Sequence, residues 1–154
     1  MVRPRLVRGI LTSQGEILED MGLKQLKGQE NGEAEQVIRE EISRQMVEEV
    51  LEKVVENKSG TGHVAYLDDY RVFGKTGTAQ VPRPDGRGYY DGKYVSSFLA
   101  GAPAEDPRIC VLIMVREPDK SLGLGYTGGK VAAPAVKEVL QYTLTYLQVP
   151  KSVR

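Results

Sequence analysis

Between Tyr70 and Val115, three strand-like runs follow one another across two short links, and this pattern constrains the fold more than any other feature of the chain. The runs are Tyr70 to Gln80, Tyr94 to Ala102 and Ile109 to Val115. The first link, Pro82 to Lys93, is a loop rich in Pro, Gly and charge, and the second runs only from Pro103 to Pro107. Consecutive strands on hairpin-length links form an antiparallel meander. A further extended stretch, His63 to Leu67, is expected before a break at Asp68-Asp69, whose adjacent acids read as turn formers. The run Ile109 to Val115 is uninterrupted and rich in β-branched residues, so it is expected to be buried on both faces. Cys110 within it reads as a small core residue.

Helical periodicity brackets the strands. From Arg39 to Asn57, the residues Ile42, Met46, Val47, Val50, Leu51, Val54 and Val55 recur at three- and four-residue steps. The opposite face, with Glu41, Glu48, Glu49, Glu52 and Glu56, reads as solvated. A final helix is expected from about Val131 to Leu147, with Pro134 tolerated in its first turn. Its apolar stripe is Val136, Val139, Leu140, Leu144 and Leu147, which suits covering one face of a sheet. Upstream, Arg5 to Glu19 reads as a hairpin turning at Ser13-Gln14-Gly15, and Met21 to Gln36 as loop. The fold class expected is therefore α+β, an antiparallel sheet flanked by helices. The 154 residues suit one domain: a lead-in over 1–36 and the sheet with its packing helices over 37–147.

At the centre stands Gly74-Lys75-Thr76-Gly77-Thr78. Lys75 brings a cation, Thr76 and Thr78 short hydroxyl donors, and Gly77 a backbone that a ligand can lie against. A strand edge carrying that set can hold a carboxylate. The phosphate-loop reading of Gly74-Lys75-Thr76 fails on spacing, because Asp69 stands where the first glycine is required. The dinucleotide-type match Gly123-Leu124-Gly125-Tyr126-Thr127-Gly128 fails on context: Arg116 to Leu122 separate it from the preceding strand, and no strand follows the next helix.

Composition removes other classes. With 21 basic and 21 acidic residues the net charge is zero, which gives no footprint for nucleic acid. One histidine and one cysteine supply no metal-ligand cluster, and no cofactor motif survives, so neither metal nor cofactor is expected. No apolar stretch approaches the roughly 20 residues of a membrane span. The N-terminus leads into no apolar core of signal type, so the chain reads as soluble and without an export address.

The stretch Tyr70–Gln80 resembles the region around the third motif, Lys-Thr-Gly, of class B penicillin-binding proteins. Ser97-Phe98 through Ala102-Pro103-Ala104-Glu105-Asp106-Pro107-Arg108 resembles the next strand and turn of that family. Gly125 to Pro134 resembles the lead into its last helix, and Gly60-Thr61-Gly62 the turn before its Lys-Thr-Gly strand. These landmarks come in family order. The resemblance implies the C-terminal part of the serine β-lactamase and D,D-peptidase fold, and a transpeptidase that cross-links peptidoglycan stem peptides ending in D-Ala-D-Ala and is acylated by β-lactams. It implies that Lys75 shapes the electrostatics of the site, that Thr76, Gly77 and Thr78 bind the substrate carboxylate, and that the Thr78 N–H is an oxyanion donor. It also implies a parent protein on the outer face of the bacterial plasma membrane with an N-terminal anchor.

Two family motifs are missing. No serine here has a lysine three positions on, so there is no Ser-x-x-Lys nucleophile. Neither Asn31 nor Asn57 completes Ser-x-Asn, since Gln29 and Val55 precede them by two positions. In the family both motifs lie upstream. The chain is thus expected to carry a carboxylate clamp and an oxyanion donor without a nucleophile, to be inactive alone, and to need the upstream part of the domain as partner. The alternatives are a non-catalytic binding module or truncated product, and a piece of a serine β-lactamase or β-lactam sensor.

Overall fold

Two hydrophobic periods, one of strands and one of helices, divide the structure, a computed structural model that describes residues 9–11, 17–20 and 37–152. The chain separates after Arg39 into two units. In the first, β1 (Gly9–Leu11) pairs antiparallel with β2 (Ile17–Asp20), from Gly9 opposite Asp20 to Leu11 opposite Ile17. The hairpin pairing is as expected. The turn at Ser13 to Gly15 and the loop from Met21 to Gln36 lie outside the described residues.

In the second unit, the helical pattern gives α1 (Glu40–Gln45), a π-helical segment (Met46–Leu51) and α2 (Lys53–Glu56). The wider π turn changes which residues face inward. Val55 is buried, whereas Ile42, Met46 and Val50, expected on the apolar face, are exposed. Glu52, expected on the solvated face, is only 4% exposed. Its two carboxylate oxygens accept from Nε and a terminal nitrogen of Arg71, at 2.8 and 2.7 Å. This fork-to-fork pair anchors the residues that lead into the central strand. His63 to Ala65, expected as extended, is a 3-10 turn. Its geometry follows from local bonds: Ala65 N–H donates to Gly62, Tyr66 N–H to His63, and the His63 Nδ1–H to the Val55 carbonyl.

The meander forms as expected. β3 (Phe73–Pro82), β4 (Tyr89–Ala102) and β5 (Ile109–Arg116) make an antiparallel sheet in the order β3-β4-β5. β4 begins five residues earlier than its expected start at Tyr94, because Pro82 still pairs with Tyr89 beyond an irregularity at Gln80. Gly86 and Gly88, with φ of 71° and 82°, close the short loop that remains.

Behind one face lie α3 (Gly128–Val131) and α4 (Ala133–Tyr146). Val136, Leu140 and Leu144 are fully buried in one cluster with Phe98, Ala100 and Ala102. Burial of each of Val136, Leu140, Leu144 and Phe98 contributes about 1.5–3 kcal/mol. Val139 and Leu147, expected in the same stripe, are 41% and 52% exposed, so the buried face is narrower than the pattern implied. β5 is not buried on both faces. It alternates: Ile109, Val111, Ile113 and Val115 are half-buried, while Cys110, Leu112 and Met114 are exposed. α4 packs on one face of the sheet, and Leu99, Leu112 and Met114 on the other face are exposed. Cys110 is accordingly a surface residue and not a core one.

The start of β3 is tied down from the C-terminal side as well. The Tyr70 hydroxyl donates to the Val149 carbonyl at 2.9 Å, the Arg71 N–H to Ser152 Oγ at 3.0 Å, and Lys151 pairs with Asp69 at 2.9 Å. Both helical ends of the unit therefore fix where β3 enters the sheet.

Candidate functional site

β3 is an outer strand: β4 pairs along one side, and no strand among the described residues lies along the other. Such an edge leaves backbone N–H and C=O groups free for a ligand. Alternation splits its central residues between the faces. Lys75 pairs with Leu99 and Gly77 with Ser97 on one face; Thr76 pairs with Phe98 and Thr78 with Ser96 on the core side. Lys75 is exposed, and its Nζ donates to the Thr76 carbonyl at 2.8 Å. A Cβ on Gly77 would stand 2.5 Å from Ser97 Oγ, so a side chain there would require that hydroxyl to rotate away.

Two distant segments close on the same strand. From the Gly60–Gly62 turn, Thr61 Oγ1 lies 3.4 Å from Thr76 Oγ1. From the start of α3, the Gly128 N–H donates to Thr78 Oγ1 at 3.4 Å. The helix can come this near only because it begins with glycines. A Cβ on Gly128 would overlap the Ser97 carbonyl oxygen, and one on Gly129 the Thr61 carbonyl oxygen. Lys75, Thr76, Gly77 and Thr78 are thus brought together with Thr61 and the head of α3. The edge combines a cation, hydroxyls and unpaired backbone donors, which equips it to hold a carboxylate and to direct an N–H at an oxyanion.

One neighbourhood escaped the sequence reading. The buried Ser96 hydroxyl, opposite Thr78, donates to the Tyr126 carbonyl. The Tyr126 ring stacks on Tyr94 with centroids 4.2 Å apart. Lys120 Nζ sits 4.8 Å from both ring centroids. The facing Tyr126 raises the Tyr94 hydroxyl above the ordinary tyrosine value. The only signal in the sequence was the placement of Tyr94 at the head of a strand and of Tyr126 in a glycine-rich loop, and neither predicts a stack.

No three His, Cys, Asp or Glu side chains group as a metal site among the described residues. A cleft of about 630 Å³ lies elsewhere, between the Tyr66–Tyr70 connection and the C-terminal half of α4, and includes none of Lys75 to Thr78.

Comparison with known proteins puts this geometry in context. Residues 1–141 match the family model described as the penicillin binding protein transpeptidase domain. The chain is 39% identical over 134 residues to stage V sporulation protein D of Bacillus subtilis, covering 87% of this chain and 20% of the relative. It is 34% identical over 128 residues to the probable peptidoglycan D,D-transpeptidase PbpC of Pseudomonas aeruginosa, covering 83% and 21%. Among solved structures, penicillin binding protein 3 of Mycobacterium tuberculosis complexed with ampicillin superposes with a TM-score of 0.57 at 31% identity, over 73% of this chain and 25% of that one. The chain spans about a fifth of the length of the two curated relatives.

Proposed function

The chain belongs to the penicillin-binding protein transpeptidase domain family, and on that premise we propose that it is the substrate-holding portion of a peptidoglycan D,D-transpeptidase. In this reading, Thr76 and Thr78 hold the terminal carboxylate of a D-Ala-D-Ala stem peptide or of a β-lactam, with Gly77 as the floor. The Thr78 N–H donates to the oxyanion that forms when a serine attacks the carbonyl. Lys75 supplies positive potential where negative charge develops, and its proton-donating Nζ orients the hydroxyl of a partner serine. The nucleophile, its base and the membrane anchor belong to the rest of the domain and of the parent protein, which works on the outer face of the bacterial plasma membrane. Among the described residues, no helix is long and apolar enough to cross a membrane.

The observation that carries this reading is the convergence of Thr61, Thr76, Thr78 and the Gly128 N–H on one sheet edge beside Lys75. Ser96 does not offer a substitute nucleophile, because its buried hydroxyl is engaged with the Tyr126 carbonyl. A titration of the isotope-labelled chain with N-acetyl-D-Ala-D-Ala tests the clamp. The Thr76, Gly77 and Thr78 amide resonances shift with the free acid and not with its C-terminal amide. Equal shifts with both, or none with either, would contradict the carboxylate clamp.

A further inference from the structure

Each hydroxyl of the clamp has a single proton, so the direction of that proton decides whether the edge attracts an anion. For Thr78 the direction is set. The Gly128 N–H can only donate, so Thr78 Oγ1 accepts from it at 3.4 Å and keeps its own proton for a ligand. For Thr76 the neighbour is Thr61, whose Oγ1 lies 3.4 Å away, and either hydroxyl can donate. If Thr76 donated, its proton would be engaged, and a carboxylate, which only accepts, would face lone pairs. Thr61 is presented by elements other than β3. The Gly60 N–H before it donates to the Asn57 carbonyl at 2.7 Å, and the Gly62 N–H after it to the Val54 carbonyl at 3.1 Å. A Cβ on Gly62 would stand 2.8 Å from the Phe98 ring, and one on Gly129 would overlap the Thr61 carbonyl oxygen. The turn is thus wedged among α2, β4 and α3. Thr61 is exposed and Thr76 half-buried, so solvent and ligand reach the pair.

We infer that Thr61 is a positioning residue for the clamp: it donates its hydroxyl proton to Thr76 Oγ1 and so turns the Thr76 proton towards the ligand carboxylate. This rests on the carboxylate clamp proposed above. Both clamp hydroxyls then accept from a donor behind them, the Thr61 hydroxyl for Thr76 and the Gly128 N–H for Thr78. Both therefore offer a proton to the ligand. Such an edge favours a terminus that only accepts, a carboxylate, over an amide, whose NH2 group meets another donor. Receiving a hydrogen bond also polarises each hydroxyl and strengthens the bond it gives.

The test is a titration of the full chain and its Thr61 variants with N-acetyl-D-Ala-D-Ala, followed at the Thr76 and Thr78 amides. Thr61→Val replaces the hydroxyl by a methyl group and should weaken binding roughly three- to tenfold, the size of one net hydrogen bond. Thr61→Ala, which also lacks the hydroxyl, should show the same loss, and Thr61→Ser should restore the affinity. The exposed position of Thr61 lets all three variants keep the melting temperature. A residue that acts through Thr76 has little left to do once the Thr76 hydroxyl is gone, so Thr61→Val should add little to Thr76→Val. Unchanged affinity in Thr61→Val and Thr61→Ala, with the Thr78 amide still shifting, would overturn the inference and leave the clamp standing. So would an equal loss in Thr61→Ser, or a full additive loss on top of Thr76→Val. No shift at Thr76 or Thr78 in the unaltered chain would overturn the clamp and this inference together.

Discussion

Arg71 carries more of the fold than its partly exposed position implies, because Glu52 beneath it is buried. Arg71→Met would leave that carboxylate without its guanidinium. The loss of stability is expected to be about 3–5 kcal/mol, read as a lower urea midpoint. Glu52→Leu combined with Arg71→Met should recover much of it, since no unpaired charge then remains. The sequence showed Glu52 only as one acid in a charged stripe; a partner 19 residues away was invisible until the π turn rotated it inward. Tyr94 offers a second check. Because Tyr126 holds its hydroxyl above the ordinary tyrosine value, Tyr94 resists ionisation. By linkage this contribution is complete below pH 10 and fades as pH rises through the higher folded-state value. An ultraviolet titration should show one late-ionising tyrosine, and Tyr126→Phe should bring it back towards pH 10.

At the scale of elements, α4 and the head of α3 position the site by different means. Leu140 is fully buried while Val139 is 41% exposed. Leu140→Ala should cost about 2–5 kcal/mol, and Val139→Ala less than about 1 kcal/mol, in the same denaturation assay. Gly128→Ala would force α3 away from the Ser97 carbonyl. Its expected cost is about 1–3 kcal/mol, with the Thr78 and Ser97 resonances moving most. The meander and both helices were legible because link length and hydrophobic period are local properties. The exposed face of β5 was not, since a continuous apolar run reads the same whether one face or both are covered. The Lys-Thr-Gly strand was legible as a motif. Its closure by Thr61 and Gly128 depends on contacts 15 and 50 residues apart, which no local pattern encodes.

The molecule as a whole presents an apolar sheet face on the side bearing Lys75. Leu99, Leu112 and Met114 there are 40%, 54% and 65% exposed, and the register aligns Lys75, Leu99 and Leu112 across the three strands. The chain also spans only about a fifth of its curated relatives. Such a face drives association. Light scattering should show the chain self-associating as its concentration rises, and Leu112→Glu should suppress this without lowering the melting temperature. The central claim is that this chain supplies the clamp and the oxyanion strand but not the nucleophile. Acylation needs a serine activated by a nearby base, and the oxyanion donor, worth about 10²–10³ in rate, acts only once a nucleophile is in place. Intact-protein mass spectrometry after incubation with excess benzylpenicillin tests this directly. The chain is predicted to keep its mass; a gain equal to one antibiotic, mapped to a serine such as Ser96 or Ser97, would contradict the account.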